Sequence, residues 1–280
     1  MQPTREYIAP ITTVVASVKT DPGCVRETNE DNGRHVSQFS PEKSRHRGTL
    51  TIVADGMGGH SSGEIASEMA VELISQHFYD DKAGSITDAL RGAIQAANSQ
   101  IFHSSTLDLK YLGMGTTVVA LVIHEGLGYA AHVGDSRLYR LRGGNMERLT
   151  VDHSQVMEMV KMGIISFDEA QHHEDKNIIL RAVGTQPKVD VEVSDPFRVD
   201  VDDQYMLCSD GLCDMADDDE IRAIWVKAQD IHAASEALIS LAKERGGRDN
   251  ITVGIVQVSA TDAAQPLRKV PITREIGVLK

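Results

Sequence analysis

The run Thr51-Ile52-Val53-Ala54-Asp55-Gly56-Met57-Gly58-Gly59-His60 ends an apolar stretch in a carboxylate and follows it with flexible backbone. The same local grammar recurs at Ser209-Asp210-Gly211 and, before an apolar run, at Arg248-Asp249-Asn250, while Glu30-Asp31 supplies an adjacent acidic pair upstream. Any single aspartate of this kind could merely end a strand or open a turn. Taken together, Asp55, Asp210, Asp249 and Glu30 are expected to converge at one sheet edge as an all-oxygen site for hard divalent cations. Glu30 is expected to ligate directly and Asp31 to act through a bound water, because neighbouring side chains on a regular strand point oppositely and only a loop lets both approach. Gly56, lacking a Cβ, would let its carbonyl approach a cation. Cations sharing the Asp55 carboxylate would acidify a water beside phosphorus and neutralise phosphoryl charge, the chemistry of a two-metal hydrolase.

Other polar groups could serve the same site. Arg26 lies four residues before Glu30; its guanidinium can hold a phosphoryl group through paired hydrogen bonds, with a surface salt bridge as the plainer alternative. Asp135, in Gly134-Asp135-Ser136-Arg137, could reach another cation or the supporting shell. His153 and His60 are proton-transfer candidates, although a lone histidine such as His153 is more often packed or capping. Met57 can neither give nor take a proton, so leaving-group protonation would fall to water. His172-His173-Glu174 reads as a surface group. A serine nucleophile at Ser209 lacks the G-x-S-x-G context, and no phosphate-binding G-x-x-x-x-G-K-[ST] segment is present.

The 280-residue chain carries a formal net charge of −13, which disfavours a general nucleic-acid surface. No apolar run is long enough to cross a membrane, and the opening MQPTREYIAP does not resemble a secretory signal, so the expected location is the cytoplasm. Three cysteines, Cys24, Cys208 and Cys213, match neither a disulfide framework nor a zinc ribbon; structural thiols are expected, with a redox role as the alternative.

The elements that must position these residues follow from periodicity. Strands are expected at about 11–18 and 48–54, with Glu27 to Gly48 mostly loop. Ser61 or Ser62 can cap a helix carrying Ala66, Ala70 and Ile74 on one face, and Ile86, Leu90, Ile94, Ala97 and Ile101 mark a second. Thr116 to Ile123, Leu127 to Val133 and Arg137 to Leu141 read as successive antiparallel strands joined by short turns, with Gly143-Gly144-Asn145 closing another hairpin. A polar, mobile insertion is expected at about 155–195. A strand at Tyr205–Cys208, two helical segments within about 218–245 and a terminal strand Ile251–Val258 complete a layered α+β sandwich. The tail, 259–280, shows no periodicity and reads as loosely attached.

The chain closely resembles the metal-dependent PP2C, or PPM, protein serine/threonine phosphatases in their compact bacterial form. The resemblance rests on Arg26-Glu27-Thr28-Asn29-Glu30-Asp31-Asn32, Val53-Ala54-Asp55-Gly56-Met57-Gly58-Gly59, Gly115-Thr116-Thr117, Gly134-Asp135-Ser136-Arg137, Asp152-His153-Ser154, Ser209-Asp210-Gly211-Leu212 and Arg248-Asp249-Asn250-Ile251-Thr252. It implies one phosphatase domain over 5–258, including a variable flap at about 155–195, and a four-layer αββα sandwich with two central antiparallel sheets. It also implies hydrolysis of phosphoserine and phosphothreonine proteins with two Mn²⁺ or Mg²⁺ ions and no phosphoenzyme. Arg26 would hold phosphate; Glu30, Asp55 and the Gly56 carbonyl would serve one metal; Asp55, Asp210 and Asp249 would serve the other. A third ion would fall to Asp135 with Asp210. Animal relatives often carry histidine where this chain has Met57. Hanks-type protein kinases and their phosphorylated substrates are the implied partners of a monomeric, cytoplasmic enzyme. Two other readings compete: a catalytically attenuated regulatory module of the same fold, and a hydrolase of small phosphoesters.

Overall fold

A computed structural model describes residues 12–37, 47–58, 62–81 and 84–260. In chain order its elements are β1 (Thr12–Asp21), β2 (Asp31–Val36), β3 (Thr49–Met57), α1 (Ser62–Asp80), α2 (Ile86–Leu107), β4 (Gly115–Thr116), β5 (Val118–His124), β6 (Leu127–Val133), β7 (Arg137–Arg142) and β8 (Asn145–Arg148). They continue with α3 (Gln155–Lys161), α4 (Phe167–Gln171), β9 (Glu192–Val193), β10 (Phe197–Arg198), β11 (Gln204–Cys208), α5 (Asp210–Cys213), α6 (Asp218–Lys227), α7 (Ile231–Glu244) and β12 (Ile251–Ala260).

The strands form two antiparallel sheets, one ordered β1-β12-β11-β7-β8 and the other β10-β6-β5-β3-β2, with β4 on β3 and β9 on β6. Alternation along the central strands assigns every side chain to a layer. Ile52 and Ala54 of β3, with Val118, Ala120 and Val122 of β5, pack outward against Ala66, Ala70 and Ile74 of α1 and Leu90, Ile94 and Ala97 of α2. Val53, Val119, Leu121 and Ile123 point the other way and meet Tyr205, Leu207, Val256 and Val258 of the second sheet. On that sheet's outer face, Met206, Ile251, Val253 and Ile255 pack against Ile221 and Trp225 of α6 and Leu238 of α7. The result is an αββα sandwich with three apolar layers. Strands buried on both faces read as unbroken apolar runs. Each fully buried Leu, Ile or Val contributes about 1.5–3 kcal/mol.

Two expectations change. Within the stretch expected to be loop, Asp31–Val36 is a strand paired with β3, Asp31 opposite Asp55. Its polar residues hid it: Asn32-Gly33-Arg34-His35 has no apolar alternation, and β2 is the edge of its sheet. Gly33 lets β2 cross the other sheet closely, because a Cβ there would lie 2.7 Å from a Val18 methyl. Likewise, β6 and β7 are consecutive but do not pair; β6 lies in one sheet and β7 in the other. The chain changes sheets at Gly134-Asp135-Ser136, where Gly134 holds φ +106° and a Cβ would strike Thr117 at 2.7 Å. That crossing carries Asp135 into the opening between the sheets. By contrast, β5 and β6 join in the expected hairpin through Glu125-Gly126, both at positive φ.

The insertion is tied down at several points. Ser154 bridges Ile179, Thr116 bridges Val183, and β9 pairs with β6. At the C-terminal end, Ser259 and Ala260, expected in the tail, still pair with Thr13 and Thr12. The rest of that tail, 261–280, lies outside the described residues, as does His60.

Candidate metal centre

The pairing of β2 with β3 brings the first acidic pair beside Asp55 and Gly56 at the end of β3. The Gly56 N–H donates to the Glu30 carbonyl at 3.1 Å, and the Ser67 hydroxyl of α1 donates to the same oxygen at 2.6 Å. A Cβ on Gly56 would lie 2.1 Å from the Gly63 carbonyl oxygen and 2.5 Å from that of Glu30. Glycine is therefore required here for backbone packing, a constraint additional to the expected access of its carbonyl to a cation. The Glu30 carboxylate sits over the first turn of α1, close enough that a Cβ on Gly63 would meet it at 2.8 Å.

Two threonines fix the Asp55 backbone. The Thr117 N–H and the Thr116 hydroxyl both donate to the Asp55 carbonyl, at 2.8 and 2.9 Å, and the Asp55 N–H donates to the Thr117 hydroxyl at 3.1 Å. Thr117 also shares a 2.7 Å hydrogen bond with Ser136, beside Asp135. From the second sheet, the Ser209 hydroxyl donates to Asp31 at 2.7 Å and accepts from the Thr252 N–H at 3.0 Å. Asn250 accepts the Glu30 N–H at 2.8 Å and donates to the Thr28 and Pro22 carbonyls at 2.9 and 3.1 Å. These tethers knit the Arg26–Glu30 loop to the strand that follows Asp249. Thr117 and Asn250 stand in the motifs without a role and Ser209 only as a nucleophile candidate; Ser209 and Asn250 directly flank Asp210 and Asp249 in the sequence, whereas Thr117 has no acidic neighbour to signal it.

The electrostatics favour compensating positive charge. Burial, reinforced by Asp31, Asp210, Asp135 and Asp249, holds the Asp55 carboxyl well above the usual range. Burial likewise raises Asp210, with Asp135, Asp214 and Asp249 adding to it. Asp31 is pushed up to about 6 by burial, despite its bond from Ser209, and Asp135 to about 7 by burial and Asp152. Glu30 is raised by burial, with the Arg26 charge opposing. One oxygen on each of Asp31, Asp135 and Asp210 is buried without a hydrogen-bond partner. Unpartnered buried carboxylate oxygens among mutually repelling neighbours are costly. Hard cations would remove both costs, and an all-oxygen donor set suits Mn²⁺ or Mg²⁺.

Arg26 lies at the mouth of this group, donating to Asp249 at 2.7 Å. Both side chains are half-exposed, so the guanidinium is open to an incoming anion. Asp135 and Asp210 also line a cavity of about 280 Å³, partly roofed by Met157 and Phe167 of the insertion.

Among the described residues, His132, His153, His172 and His173 stand apart from this chemistry. Buried His153 accepts the Gly134 N–H on Nδ1 at 3.1 Å, leaving Nε2 to face Glu192 at 3.2 Å. Burial lowers its basicity, so it packs and braces the sheet crossing. His132, His153 and Glu192 bring ligand-type atoms within 4.8 Å of one another. The two rings stack with centroids 4.5 Å apart and 16° between planes. Imidazole lone pairs lie in the ring plane, so stacked rings do not aim at a common ion. His172 is exposed and His173 partly so, as the surface reading expected.

The comparisons with known proteins point to one family. A family model described as protein phosphatase 2C matches residues 38–243. The serine/threonine phosphatase stp of Listeria welshimeri is 39% identical over 247 residues, covering 86% of this chain and 95% of that protein. Crystal structures of the serine/threonine phosphatase Stp1 from Staphylococcus aureus and of the PstP catalytic domain with two manganese ions superpose with TM-scores of 0.80 and 0.75 at 31% and 30% identity. The first alignment covers 91% of this chain and 98% of Stp1, the second 89% of this chain and 100% of the PstP domain. Sequence likeness that runs through the chain and a shared sandwich reach the same conclusion: this chain belongs to the protein phosphatase 2C family.

Proposed function

We propose that this member of the family, a metal-dependent protein serine/threonine phosphatase, hydrolyses phosphoserine and phosphothreonine in protein substrates by direct attack of water. The observation that carries the reading is the set of raised, partly unpartnered carboxyls around Asp55. Asp55 would be shared between two Mn²⁺ or Mg²⁺ ions. Glu30 and the Gly56 carbonyl would serve one ion, and Asp210 and Asp249 the other; Asp135 with Asp210 would serve a third. When bound, the cations supply Lewis acidity, which acidifies water and neutralises phosphoryl charge.

The chain's own residues do the rest. Arg26 orients the phosphoryl group with its planar donors. Asp31, held by Ser209, keeps a second carboxylate facing Asp55 across the strand pair and can accept a hydrogen bond from water. Thr116, Thr117 and Asn250 hold the backbone that presents these groups. Met57 places no acid at the end of β3, so the leaving oxygen takes its proton from water.

The catalytic domain is assigned to 5–258, with the insertion at about 155–195 as the flap beside the cavity. No helix among the described residues is long and apolar enough to cross a membrane. We assign the enzyme to the cytoplasm, as a monomer without nucleic-acid or membrane partners, opposing a Hanks-type kinase. The test compares Mn²⁺-dependent phosphate release from phosphothreonine and phosphoserine peptides with release from soluble phosphorylated metabolites. Peptide preference supports the reading; preference for metabolites moves the chain to small phosphoesters.

A further inference from the structure

Cys208 ends β11 and Cys213 ends α5, the one-turn helix that Asp210 opens. Their sulfur atoms lie 3.4 Å apart. A disulfide requires about 2.05 Å, so the two must close by about 1.4 Å. Cys208 is fully buried and fixed in the middle of its sheet, opposite Val253 on one side and Arg137 on the other. Cys213 is partly exposed and lines the cavity that opens on Asp135 and Asp210. The closing movement therefore falls on Cys213 and α5.

The surroundings also favour reaction at Cys213. Its thiol is lowered to about 7, chiefly by the hydrogen bond with Cys208, with the Arg137 charge helping and burial opposing. Cys208 lies behind it, fully buried in the sheet. Such an asymmetric pair has an attacking cysteine at the cavity wall and a resolving sulfur behind it.

We propose that Cys208 and Cys213 form an oxidative modification site, in which a hydroperoxide converts the two thiols to a disulfide that displaces Asp210. The Cys213 thiolate attacks the peroxide oxygen, breaking the O–O bond and giving a sulfenic acid and hydroxide. The Cys208 thiol then attacks the Cys213 sulfur, the S–O bond breaks, and water leaves with the thiol proton. Both sulfurs are oxidised and the peroxide is reduced to water. A dithiol reductant reverses the step by exchange. The functional consequence, weakened cation binding through Asp210, rests on the reading of Asp210 as a metal ligand.

The test treats the metal-free full chain with hydrogen peroxide and maps thiols by mass spectrometry. The expected product has lost two hydrogens at the Cys208–Cys213 pair and is restored by dithiothreitol. Cys208→Ser is expected to accumulate a dimedone-reactive sulfenic acid on Cys213, whereas Cys213→Ser yields neither product while keeping the fold. Amide hydrogen exchange across residues 209–214 should accelerate in the oxidised chain, and Mn²⁺ affinity should fall about tenfold or more. Thiols at 208 and 213 that survive complete oxidation of exposed Cys24 overturn the proposal, as does a disulfide that leaves exchange across 209–214 unchanged. Failure of the reduced chain to bind Mn²⁺ would instead count against the metal site.

Discussion

Replacing Asp135 by asparagine should stabilise the metal-free protein, and only above about pH 4. The Asp135 carboxyl is buried, one oxygen has no partner, and its pKa stands at about 7 against 3.8 for an ordinary aspartate. That difference corresponds to about 4 kcal/mol of disfavoured ionisation. Because Asp152 and Asp214 contribute and can relax, about 2–4 kcal/mol is the expected gain. The sign follows from linkage. With the folded pKa above the unfolded one, stability is fully present below about pH 4 and is lost as pH rises through about 7. Asparagine resembles the protonated acid, so the variant should match wild type below about pH 4, gain on it steadily as pH rises and exceed it most at pH 8. Urea unfolding in EDTA at both pH values reads this directly. A gain of this size moves the midpoint of thermal unfolding by roughly 4–16 °C. Saturating Mn²⁺ should shrink the advantage, since a cation would compensate the charge in wild type. Equal effects at both pH values, or destabilisation at pH 8, would refute the account of Asp135 as an uncompensated carboxylate.

Other perturbations separate scaffold from chemistry. Asn250→Ala removes three hydrogen bonds to the loop carrying Arg26 and Glu30 and should cost about 2–4 kcal/mol in chemical denaturation; a loss under about 0.5 kcal/mol would show that the loop is held elsewhere. Arg26→Ala breaks only a half-exposed ion pair, so stability should change by less than about 1 kcal/mol while kcat/KM for a phosphopeptide falls about 10- to 100-fold. Unchanged kcat/KM would remove Arg26 from phosphate binding.

The legible parts of this chain were those where burial writes the pattern. Thr51–Ala54, Val118–Ile123 and Ile251–Val258 are apolar on both faces because helices cover one side and the opposing sheet the other. Asp55-Gly56 after the first of these and Asp249-Asn250 before the last marked acidic residues that the fold gathers. Strand β2 escaped notice because its stabilisation comes from backbone pairing with β3 rather than from its own apolar side chains. The sheet change at Gly134–Ser136 was also hidden, since a short Gly-Asp connection fits a hairpin as well as a crossing. What distinguishes them is Thr117 packed under Gly134 and bonded to Ser136, a contact that local periodicity cannot express. Asn250 and Ser209 act across more than forty residues of chain, at separations where spacing carries no signal.

The central claim is that the carboxyls around Asp55 hold the cations on which turnover depends. Phosphate release from a phosphothreonine peptide should vanish in EDTA and return with Mn²⁺ in wild type. Asp55→Asn should keep its circular dichroism and thermal transition, yet lose turnover by about 100-fold or more at every Mn²⁺ concentration, with weakened Mn²⁺ binding in equilibrium dialysis. Wild-type turnover and Mn²⁺ binding in a folded Asp55→Asn protein would contradict the account.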